Sequence, residues 1–337
     1  MKSIAIIGAG IAGIEAASIL TKFGHKVFLI EKNSETGGNV HKWDRLFPSQ
    51  TESQIVLDEL NNKLNNRAET LTNVTVQHCE RKDNQFEIIL TDNNNLLVDA
   101  ILVTTGFDNF QAQRKEEYGY GIYDNVITSV DLEQMFKNHK VVCKNGMIPK
   151  RVAFVHCVGS RDEKVDNRHC SKVCCVTAIK QACEIKQLYP DCEVFNLYMD
   201  LRMFDRHFED MYHEAQSKYN VNFIRGRLSE AGENKEHQVV LKAEDTLAGK
   251  PIKLTVDLLV LMVGIEPNTS QKSLNAKLGL RSETDGFLSV KNLFTQNNLS
   301  NIDGIFLAGA CTGCKTIPET LADSRAAAYR LNSYIMS

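Results

Sequence analysis

The stretch Lys2–Glu31, KSIAIIGAGIAGIEAASILTKFGHKVFLIE, decides the fold that the sequence predicts. It begins with an isoleucine-rich apolar run, Lys2–Ile7, which predicts a short buried strand. The glycine-rich segment Gly8–Gly13 follows, and then an alanine-rich helical pattern over Ile14–Phe23 and a second apolar run over Val27–Ile30. Strand, glycine loop, helix and strand in this order predict a βαβ unit that binds a dinucleotide.

The glycines and the acidic residue of this unit have separate predicted roles. Gly8 allows a tight turn, Gly10 lets the backbone approach a pyrophosphate, and Gly13 allows the helix to pack closely on the strand. The helix N-terminus adds N–H groups and a partial positive charge for the phosphates. Glu31, 18 residues after Gly13, is placed to accept hydrogen bonds from ribose hydroxyls.

Length and composition set limits on the class of protein. A chain of 337 residues predicts two domains, or one domain split by another. The net charge of −3 gives no electrostatic case for binding nucleic acid. The sequence contains no run of 18 apolar residues, so we expect no membrane span. The N-terminus runs directly into the first strand, so we expect no cleaved signal. Ten cysteines fit a cytoplasmic protein, in which clustered thiols bind metals or perform redox chemistry.

Two segments after Glu31 resemble motifs of flavoproteins with two dinucleotide-binding domains. Lys32–Asn39 resembles the second glycine pair that runs beside the FAD diphosphate. Asp99–Gly106 resembles the strand-and-glycine crossing of the same family, and it follows a predicted antiparallel excursion over Val74–His78 and Phe86–Thr91. The resemblance therefore favours FAD over NAD as the first cofactor.

The C-terminal region resembles the part of that fold that closes the FAD site. Asn301–Ala310 resembles the closing motif, but Ala310 stands where the family carries an aspartate that contacts the ribityl chain. Main-chain contacts remain available there, and the carboxylate contact is lost. Ile317–Leu331 predicts the last helix, whose N-terminal N–H groups would face the flavin and favour negative charge on its reduced form.

The chain order predicts an α/β fold of the two-dinucleotide-binding-domain type. The FAD domain comprises residues 1–128 and 258–337, and an inserted Rossmann-like domain comprises residues 129–257. Residues 258–268 resemble the return crossing between them. The resemblance implies FAD contacts from these residues: Gly8, Gly10, Ile11, Ala12, Gly13, Glu31, Lys32, Gly38, Asn39, Thr105, Gly106, Gly309, Ala310, Ile317 and Pro318.

The inserted domain has a second βαβ pattern without a second glycine loop. Its predicted elements, in order, are strands at 151–156, 193–198 and 222–224, helices at 172–189 and 206–219, and an antiparallel pair at 239–242 and 252–256. Where pyridine nucleotide-disulfide oxidoreductases carry GxGxxG, this chain has Cys157–Asp162, CVGSRD, and then a polar stretch. A pyrophosphate site of the usual kind is therefore not expected in this domain.

Four of the ten cysteines lie between Cys157 and Cys175. Cys170 and Cys174 are four residues apart, so at a helix start they would share a face, and Cys175 lies about 100° further round. Four converging thiolates need a cation, and a [4Fe–4S] cluster takes four cysteines. Zinc and a set of free buried thiols are the alternatives that the spacing leaves open.

The cysteine pattern and the flavoprotein frame resemble the A-type subunit of heterodisulfide reductase over nearly the whole chain. The large methanogen form has additional ferredoxin-type domains, whereas this chain has no CxxCxxC run and is similar to the short form of the sulfur oxidisers' heterodisulfide reductase-like complexes. The resemblance implies FAD, a homodimer together with other subunits of such a complex, and cytoplasmic oxidation of a protein-bound sulfane or thiol to sulfite. It also implies one [4Fe–4S] cluster on Cys157, Cys170, Cys174 and Cys175. No catalytic residue is assigned.

The pair Cys311 and Cys314 precedes the last helix and supports a different hypothesis. A dithiol there would make the protein an NAD(P)H-dependent FAD disulfide reductase, although the missing second glycine loop argues against it. A third hypothesis is a non-catalytic flavoprotein scaffold. His156, His169, His207 and His213 show no ligand spacing, except that His169 lies beside Cys170, where it would tune a cluster or be solvated. The remaining cysteines are predicted to be packing thiols: Cys79, Cys143, Cys183 and Cys192.

Overall fold

The chain forms two compact units, described from a computed structural model of residues 1–337. Unit 1 consists of Met1–His41, Ser53–Asp108 and Glu266–Ser337, and unit 2 of Lys42–Glu52 and Asn109–Ile265. These divisions differ from the predicted boundaries at 128/129 and 257/258. The difference has a physical cause, because two strands that the prediction gave to the FAD domain are hydrogen-bonded within the parallel sheet of unit 2.

The two units are built from twenty β-strands and seven α-helices. The strands are β1 Ser3–Ile7, β2 Lys26–Ile30, β3 Arg45–Leu46, β4 Thr51–Glu52, β5 Glu69–Leu71, β6 Val76–Lys82, β7 Gln85–Leu90, β8 Asn95–Val98, β9 Ala100–Val103, β10 Phe107–Asn109, β11 Val126–Thr128, β12 Arg151–Val158, β13 Glu193–Tyr198, β14 Asn222–Arg225, β15 Leu228–Glu233, β16 Val239–Asp245, β17 Lys250–Val256, β18 Leu258–Val263, β19 Ile265–Pro267 and β20 Ile305–Leu307. The helices are α1 Ile11–Lys22, α2 Ser53–Leu64, α3 Ser129–Lys137, α4 Cys174–Leu188, α5 Phe208–Ser217, α6 Gln271–Leu278 and α7 Ile317–Met336. None of the helices is long and apolar enough to cross a membrane.

Unit 1 contains a five-stranded parallel sheet in the order β20-β9-β1-β2-β5. Strands β1, β2 and β9 are almost wholly buried apolar runs, as expected for a parallel sheet covered on both faces. Helices α1 and α7 pack against each other, and an antiparallel sheet of β6, β7 and β8 forms the predicted excursion. The carboxyl end of β1 leads into the glycine loop and α1, so this edge is where a ligand is expected.

Unit 2 contains a second five-stranded parallel sheet, in the order β11-β18-β12-β13-β14. Helix α4 packs on β12 and β13. An antiparallel sheet of β15, β16 and β17 completes the unit; β15 was missing from the sequence prediction because its residues, LSEAGE, lack an apolar alternation. The carboxyl end of β12 carries Cys157, and the start of α4 carries Cys174 and Cys175.

A buried network of charged side chains holds the segment Lys42–Glu52 within unit 2. Lys180 Nζ lies 2.6 Å from Glu133 Oε1 and 3.0 Å from Glu184 Oε2, and it donates to the Arg45 carbonyl at 2.9 Å. The other Glu133 oxygen accepts from Asp44 N at 2.8 Å. All three ionisable side chains are at most 5% exposed. Burial raises the pKa of Glu184 to about 8, only partly offset by Lys180.

This raised pKa predicts that stability falls as the pH rises through the neutral range. Glu184 keeps its proton in the folded chain up to about pH 8, whereas the unfolded chain releases it near the ordinary value of 4.5. We expect Glu184→Gln to match the wild type at pH 5 and to be more stable at pH 8, by on the order of a few kcal/mol. Denaturant unfolding between pH 5 and pH 8 measures the difference.

The exposed carboxyl of Glu209 on α5 supplies the control. Glu209→Gln should leave the pH dependence of the free energy of unfolding unchanged. Parallel stability curves for the wild type and Glu184→Gln would show that the Glu184 carboxyl is ionised in the folded chain.

Candidate functional site

The glycine loop of unit 1 brings bare backbone to the N-terminus of α1. Gly8 has a positive φ of 108°, and a Cβ on Gly13 would lie 2.0 Å from the Gly8 carbonyl oxygen, so neither position accepts a side chain. Gly10 is the N-cap of α1 in an extended conformation, without a side-chain cap. The first N–H groups of the helix therefore have no side-chain partner at this cap and are available to an anion.

The second glycine pair lies directly against this loop. Gly37 N donates to the Ala9 carbonyl at 2.7 Å, and a Cβ on Gly38 would lie 3.0 Å from the Gly10 Cα. The two glycine segments thus form a side-chain-free backbone surface beside the helix N-terminus. This surface fits a diphosphate group, which needs close approach to the main chain.

The Glu31 carboxylate is buried at the end of β2 and fixes this backbone. Oε2 accepts from Ala9 N at 2.8 Å, and Oε1 accepts from Asn33 N at 3.0 Å and from Asn33 Nδ2 at 2.9 Å. Each carboxylate oxygen accepts two hydrogen bonds, so Oε2 retains one acceptor position for a ligand hydroxyl. Lys32 is exposed, and its Nζ lies 3.4 Å from Asn268 Oδ1.

A cavity of about 150 Å³ in unit 1 adjoins the glycine loop, and its lining includes Gly8, Glu31, Lys32, Thr75 and Thr105. Thr105 Oγ1 is buried and has no hydrogen-bond partner. A buried unpartnered hydroxyl is costly, and a ligand oxygen or nitrogen in the cavity would supply its partner. The neighbouring predicted residues Gly106, with a φ of 67°, and Asn39, whose Nδ2 donates to the Phe107 carbonyl at 2.9 Å, shape the same region.

The C-terminal segment meets the start of α1 at Gly309. A Cβ on Gly309 would lie 2.9 Å from the Ala12 Cβ, and Gly309 N donates to Asp323 Oδ2 at 2.9 Å. Ala310 is buried and offers no carboxylate. Asp323, which lies on α7, was missed by the sequence prediction because a lone aspartate in a helix carries no motif.

Helix α7 begins with a complete capping box. The Thr316 hydroxyl accepts from Glu319 N at 3.4 Å, and the Glu319 carboxylate accepts from Thr316 N at 2.9 Å. Ile317 and Pro318 form the first helical positions. The cap uses the Glu319 N–H and Pro318 has none, so the first turn keeps the Ile317 N–H without a partner, and the helix dipole favours negative charge beside it.

Three of the four predicted ligand cysteines interact with one another in unit 2, with Cys174 between the other two. The Cys174 thiol is hydrogen-bonded to both Cys157 and Cys175, and all three are buried in the hydrophobic core of this unit. The hydrogen bond from Cys174 lowers the pKa of Cys157 and lowers that of Cys175 to about 4. The same hydrogen bonds raise the pKa of Cys174 well above its ordinary value, first through Cys157 and then through Cys175.

Cys170 does not belong to this contact group, and its predicted position on the helix was wrong. Helix α4 begins at Cys174, and Lys172 has a φ of 66°, which interrupts a helix. Cys170 is therefore a loop residue, partly exposed, whose sulfur accepts from Lys172 N at 3.3 Å. The predicted shared helix face of Cys170 and Cys174 does not exist.

The loop that joins Cys157 to Cys174 is strained and firmly anchored. Cys157 and Arg161 adopt positive φ values of 59° and 55°, which cost energy for residues with a side chain. The buried Asp162 carboxylate binds Lys115 Nζ at 2.8 Å and Arg227 Nη2 at 2.9 Å. Strain held by a buried ion pair is typical of a binding loop.

Gly159 in this loop serves packing and not ligand approach. A Cβ at this position would lie 2.0 Å from Cγ of Phe110, whose ring covers the backbone. By contrast, a Cβ on Gly10 in unit 1 would have no atom nearer than 3.9 Å. The loop of unit 2 therefore lacks the open glycine surface that a pyrophosphate needs, as the sequence predicted.

The thiols of unit 2 are the kind of donor that binds a metal cluster, but they are not arranged around a metal ion in this structure. No group of three or more His, Cys, Asp or Glu side chains is arranged to hold a metal ion. The pKa of Cys174 is raised, whereas the pKa values of Cys157 and Cys175 are lowered by the hydrogen bonds from Cys174. Sulfur is the donor that an iron-sulfur cluster takes, and Cys174 would have to lose its proton on ligation.

The Cys311–Cys314 pair lacks the properties of a reactive dithiol. Cys311 is fully buried, and burial raises its pKa to about 12, so its thiolate is strongly disfavoured. Its sulfur interacts with the carbonyls of Ala308 at 3.2 Å and Val103 at 3.5 Å. Cys311 is thus a packing thiol, which speaks against the disulfide reductase hypothesis.

The family comparison matches most of the chain. The family described as pyridine nucleotide-disulphide oxidoreductase matches residues 2–155 and 174–328. The interruption, 156–173, contains Cys157 and Cys170, so this loop lies outside the family pattern. Crystal structures of thioredoxin reductases confirm the predicted fold class: one from T. acidophilum has a TM-score of 0.69 at 19% identity, covering 100% of both chains. Another, from Lactococcus lactis, has a TM-score of 0.71 at 16% identity, covering 100% of this chain and 99% of its own.

Curated relatives confirm the resemblance to the A-type heterodisulfide reductase proteins. The chain is 32% identical to the A-type iron-sulfur subunit of the CoB–CoM heterodisulfide reductase of Methanocaldococcus jannaschii, covering 97% of this chain and 63% of that protein. It is 40% identical to the second A-type iron-sulfur protein of the same reductase in Methanopyrus kandleri, over 69% of this chain and 37% of that protein. The chain thus spans less than two thirds of the length of these relatives. The first alignment extends over 415 positions, more than the 337 residues of this chain, so that relative has internal segments that this chain lacks.

The role of Glu31 in fixing the glycine loop predicts a loss of flavin affinity in Glu31→Gln. The amide would present an N–H₂ group to the N–H groups of Ala9 or Asn33, and a lost charged hydrogen bond costs about 1.5–3 kcal/mol. We expect flavin to bind about 10- to 100-fold more weakly. Titration of flavin-depleted protein with FAD, followed by quenching of flavin fluorescence, measures the affinity.

The exposed Glu35 in the same segment provides the matched control, and Glu35→Gln should bind FAD as the wild type does. An unchanged affinity in Glu31→Gln would mean that the carboxylate contributes neither to the loop nor to a ligand.

Proposed function

Because the chain belongs to the pyridine nucleotide-disulphide oxidoreductase family, we propose that it is an FAD- and [4Fe–4S]-containing electron-transfer subunit of a heterodisulfide reductase-like complex. The observation that carries the proposal is the contact of the Cys157, Cys174 and Cys175 sulfurs at the carboxyl edge of the second parallel sheet. In this family that edge normally receives a pyridine nucleotide. Here a thiol-lined loop outside the family pattern takes its place.

The FAD assignment is supported by the family and by the groups in unit 1 that have no partner of their own. The diphosphate would lie on the backbone of Gly8, Gly10, Gly13 and Gly38 and on the first turn of α1, at Ile11 and Ala12. Glu31 and Thr105 offer one acceptor position and one unpartnered hydroxyl to the adenosine side. The other assigned contacts are Lys32, Asn39, Gly106, Gly309, Ala310, Ile317 and Pro318.

The residues of this chain perform the electrostatic part of the chemistry at the flavin. The N-terminus of α7, with the Ile317 N–H, follows Gly309 and Ala310 in the chain and would favour negative charge on a reduced ring. When bound, FAD supplies two-electron chemistry and an iron-sulfur cluster supplies single-electron transfer.

The cluster assignment uses Cys157, Cys170, Cys174 and Cys175 as ligands. Three of these sulfurs are in contact, and Cys170 lies in the same loop, so ligation requires this loop to bring its sulfur to the other three. The ion pair of Asp162 with Lys115 holds the loop, and the Arg161 guanidinium lowers the pKa of Cys157 beside the larger effect of Cys174. Zinc on the same thiols is the alternative, and an iron assay distinguishes the two.

The likeness to heterodisulfide reductase subunits supports the wider biological proposal. The curated relatives are named as subunits of heterodisulfide reductases. We infer that this chain works as a homodimer with other subunits of a related complex in the cytoplasm. The reaction we propose for the complex is the oxidation of protein-bound sulfane or thiol sulfur to sulfite, with this subunit carrying the electrons.

Anaerobic purification with iron and flavin assays tests the cofactor proposal. We expect one FAD and about four irons per chain, with broad absorbance beneath the flavin bands. Cys174→Ala should lose most of the iron and keep its flavin. Cys183→Ala, a buried cysteine on the same helix α4 that is not assigned as a ligand, should keep both.

The contrary results are equally specific. Flavin without iron in the wild type, or zinc in its place, would refute the cluster, and full iron in Cys174→Ala would refute the ligand set. Rapid bleaching of the flavin by NADH, together with NADH-dependent reduction of a disulfide substrate that is lost in Cys314→Ser, would restore the disulfide reductase hypothesis.

A further inference from the structure

The carboxylate of Asp323 holds the closing segment of unit 1 at the point where the usual aspartate is missing. Asp323 lies on α7, its side chain is 9% exposed, and its Oδ2 accepts from Gly309 N at 2.9 Å. Gly309 directly precedes Ala310, which stands where the flavoprotein motif carries its aspartate. A carboxylate from the last helix therefore reaches the backbone next to the position of the missing one, and no assigned FAD contact uses it.

The other oxygen of this carboxylate ties the segment to the parallel sheet. Oδ1 accepts from Asn298 Nδ2 at 2.7 Å. The same nitrogen donates to the carbonyl of Leu307, the last residue of β20, at 3.2 Å, and Asn298 is only 1% exposed. Asp323 thus fixes the Gly309 peptide directly and the end of β20 through Asn298.

Lys315 completes the network on the other side of Gly309. Its ammonium donates to the Gly309 carbonyl at 2.9 Å and to Thr312 Oγ1 at 2.5 Å, and it lies 3.4 Å from Asp323 Oδ2. An ammonium group has three N–H donors, and here it has three oxygen neighbours. The N–H and the C=O of Gly309 are therefore each held by one member of an ion pair.

The surroundings of this ion pair make it costly to break. Lys315 is 22% exposed and Asp323 less than that, so water screens the two charges only in part. Removal of one partner leaves the other charge partly buried without compensation. Gly309 is also confined by packing, because a Cβ there would lie 2.9 Å from the Ala12 Cβ. We therefore expect this segment to keep one conformation before any ligand binds.

We propose that Asp323, together with Lys315, positions the main chain of Gly309 and Ala310 for the riboflavin half of FAD. The proposal rests on the FAD assignment above and is independent of the cluster and of the sulfur reaction. Neither side chain is assigned as a contact of FAD, so both act through Gly309 as positioning residues. A carboxylate on α7 thus acts on the backbone where the motif aspartate would act on the ribityl chain.

A network that serves only folding is the alternative, and it predicts a different pattern of ligand affinities. Such a network would stabilise the flavin-free protein and leave the affinity of folded variants unchanged. A positioning network lowers the affinity of protein that stays folded, because the main chain must then be ordered on binding. Its effect falls on the riboflavin half and spares the adenosine half, which is assigned to the glycine loop and Glu31.

Titration of folded, flavin-depleted variants with FAD and with AMP tests the proposal, since AMP carries only the adenosine half. We expect Asp323→Asn and Lys315→Met to bind FAD about 10- to 100-fold more weakly and to bind AMP as the wild type does. Lys315→Arg, which keeps the charge and the donors, should recover most of the FAD affinity. Quenching of flavin fluorescence measures FAD binding, and titration calorimetry measures AMP binding.

Two single variants serve as controls. Asp303→Asn removes an exposed carboxylate that accepts from the Tyr334 hydroxyl on α7 at 2.8 Å, and it should bind both ligands as the wild type does. Glu31→Gln should bind both more weakly. The double variant of Asp323→Asn with Lys315→Met should lose no more affinity than the weaker-binding single variant, because the two residues act as one unit. Additive losses would overturn the pairing.

Unchanged FAD affinity in the folded variants would overturn the proposal, and so would an equal loss of AMP affinity. If the variants do not fold, hydrogen exchange of the wild type decides. The Gly309 amide should be protected in the flavin-free protein, and rapid exchange there would overturn the proposal. A wild type that binds no FAD refutes the FAD assignment as well, whereas an FAD-binding wild type with unaffected variants refutes only the role of Asp323 and Lys315.

Discussion

A Cβ on Gly13 would lie 2.0 Å from the Gly8 carbonyl oxygen, and this steric limit governs the whole of unit 1. It lets α1 begin immediately after β1, so that the helix N-terminus and the carboxyl edge of the sheet face the same point. The second glycine pair, the Glu31 carboxylate and the α7 segment are each fixed to that loop by hydrogen bonds or by close packing. Because so many elements depend on bare backbone here, a side chain at Gly13 would disturb the sheet, the helix packing and the ligand surface together.

In unit 2, the carboxyl edge of the parallel sheet carries buried thiols that interact with one another. Three sulfurs in contact cannot all be thiolates, since like charges at short range in a buried site repel strongly. The protein therefore retains a proton on Cys174, whose pKa is raised, between Cys157 and Cys175, whose pKa values are lowered. The strained backbone at Cys157 and the buried Asp162–Lys115 pair hold the sulfurs in place beforehand.

The sequence predicted the parallel sheets, the glycine loop and the thiol segment because each has a strong local pattern. It misplaced Cys170 because a helical spacing was extended through Lys172, whose positive φ depends on the tertiary fold of the loop. It gave no role to His156, since the contact with Asn196 joins residues that are far apart in sequence. The sequence also did not predict that residues 42–52 attach to unit 2. That attachment depends on the buried side chains of Lys180 and Glu133, and their sequence pattern suggests exposed helix surfaces instead.

Two glycines at the carboxyl edges of the two parallel sheets differ in how open their backbone is to a ligand. Gly10 in unit 1 leaves an open space, with no atom within 3.9 Å of the position of a Cβ. Gly159 in unit 2 is covered by the ring of Phe110, 2.0 Å from the corresponding position, and the ring is itself buried. A dinucleotide cannot reach the backbone at Gly159 unless Phe110 moves out of the hydrophobic core that it shares with Val155 and Val158. Burial of an aromatic side chain is worth several kcal/mol, so binding of a pyridine nucleotide would have to offset that cost at this edge. Thiols that face the interior need no such opening, so buried sulfurs at this edge are compatible with the same parallel sheet.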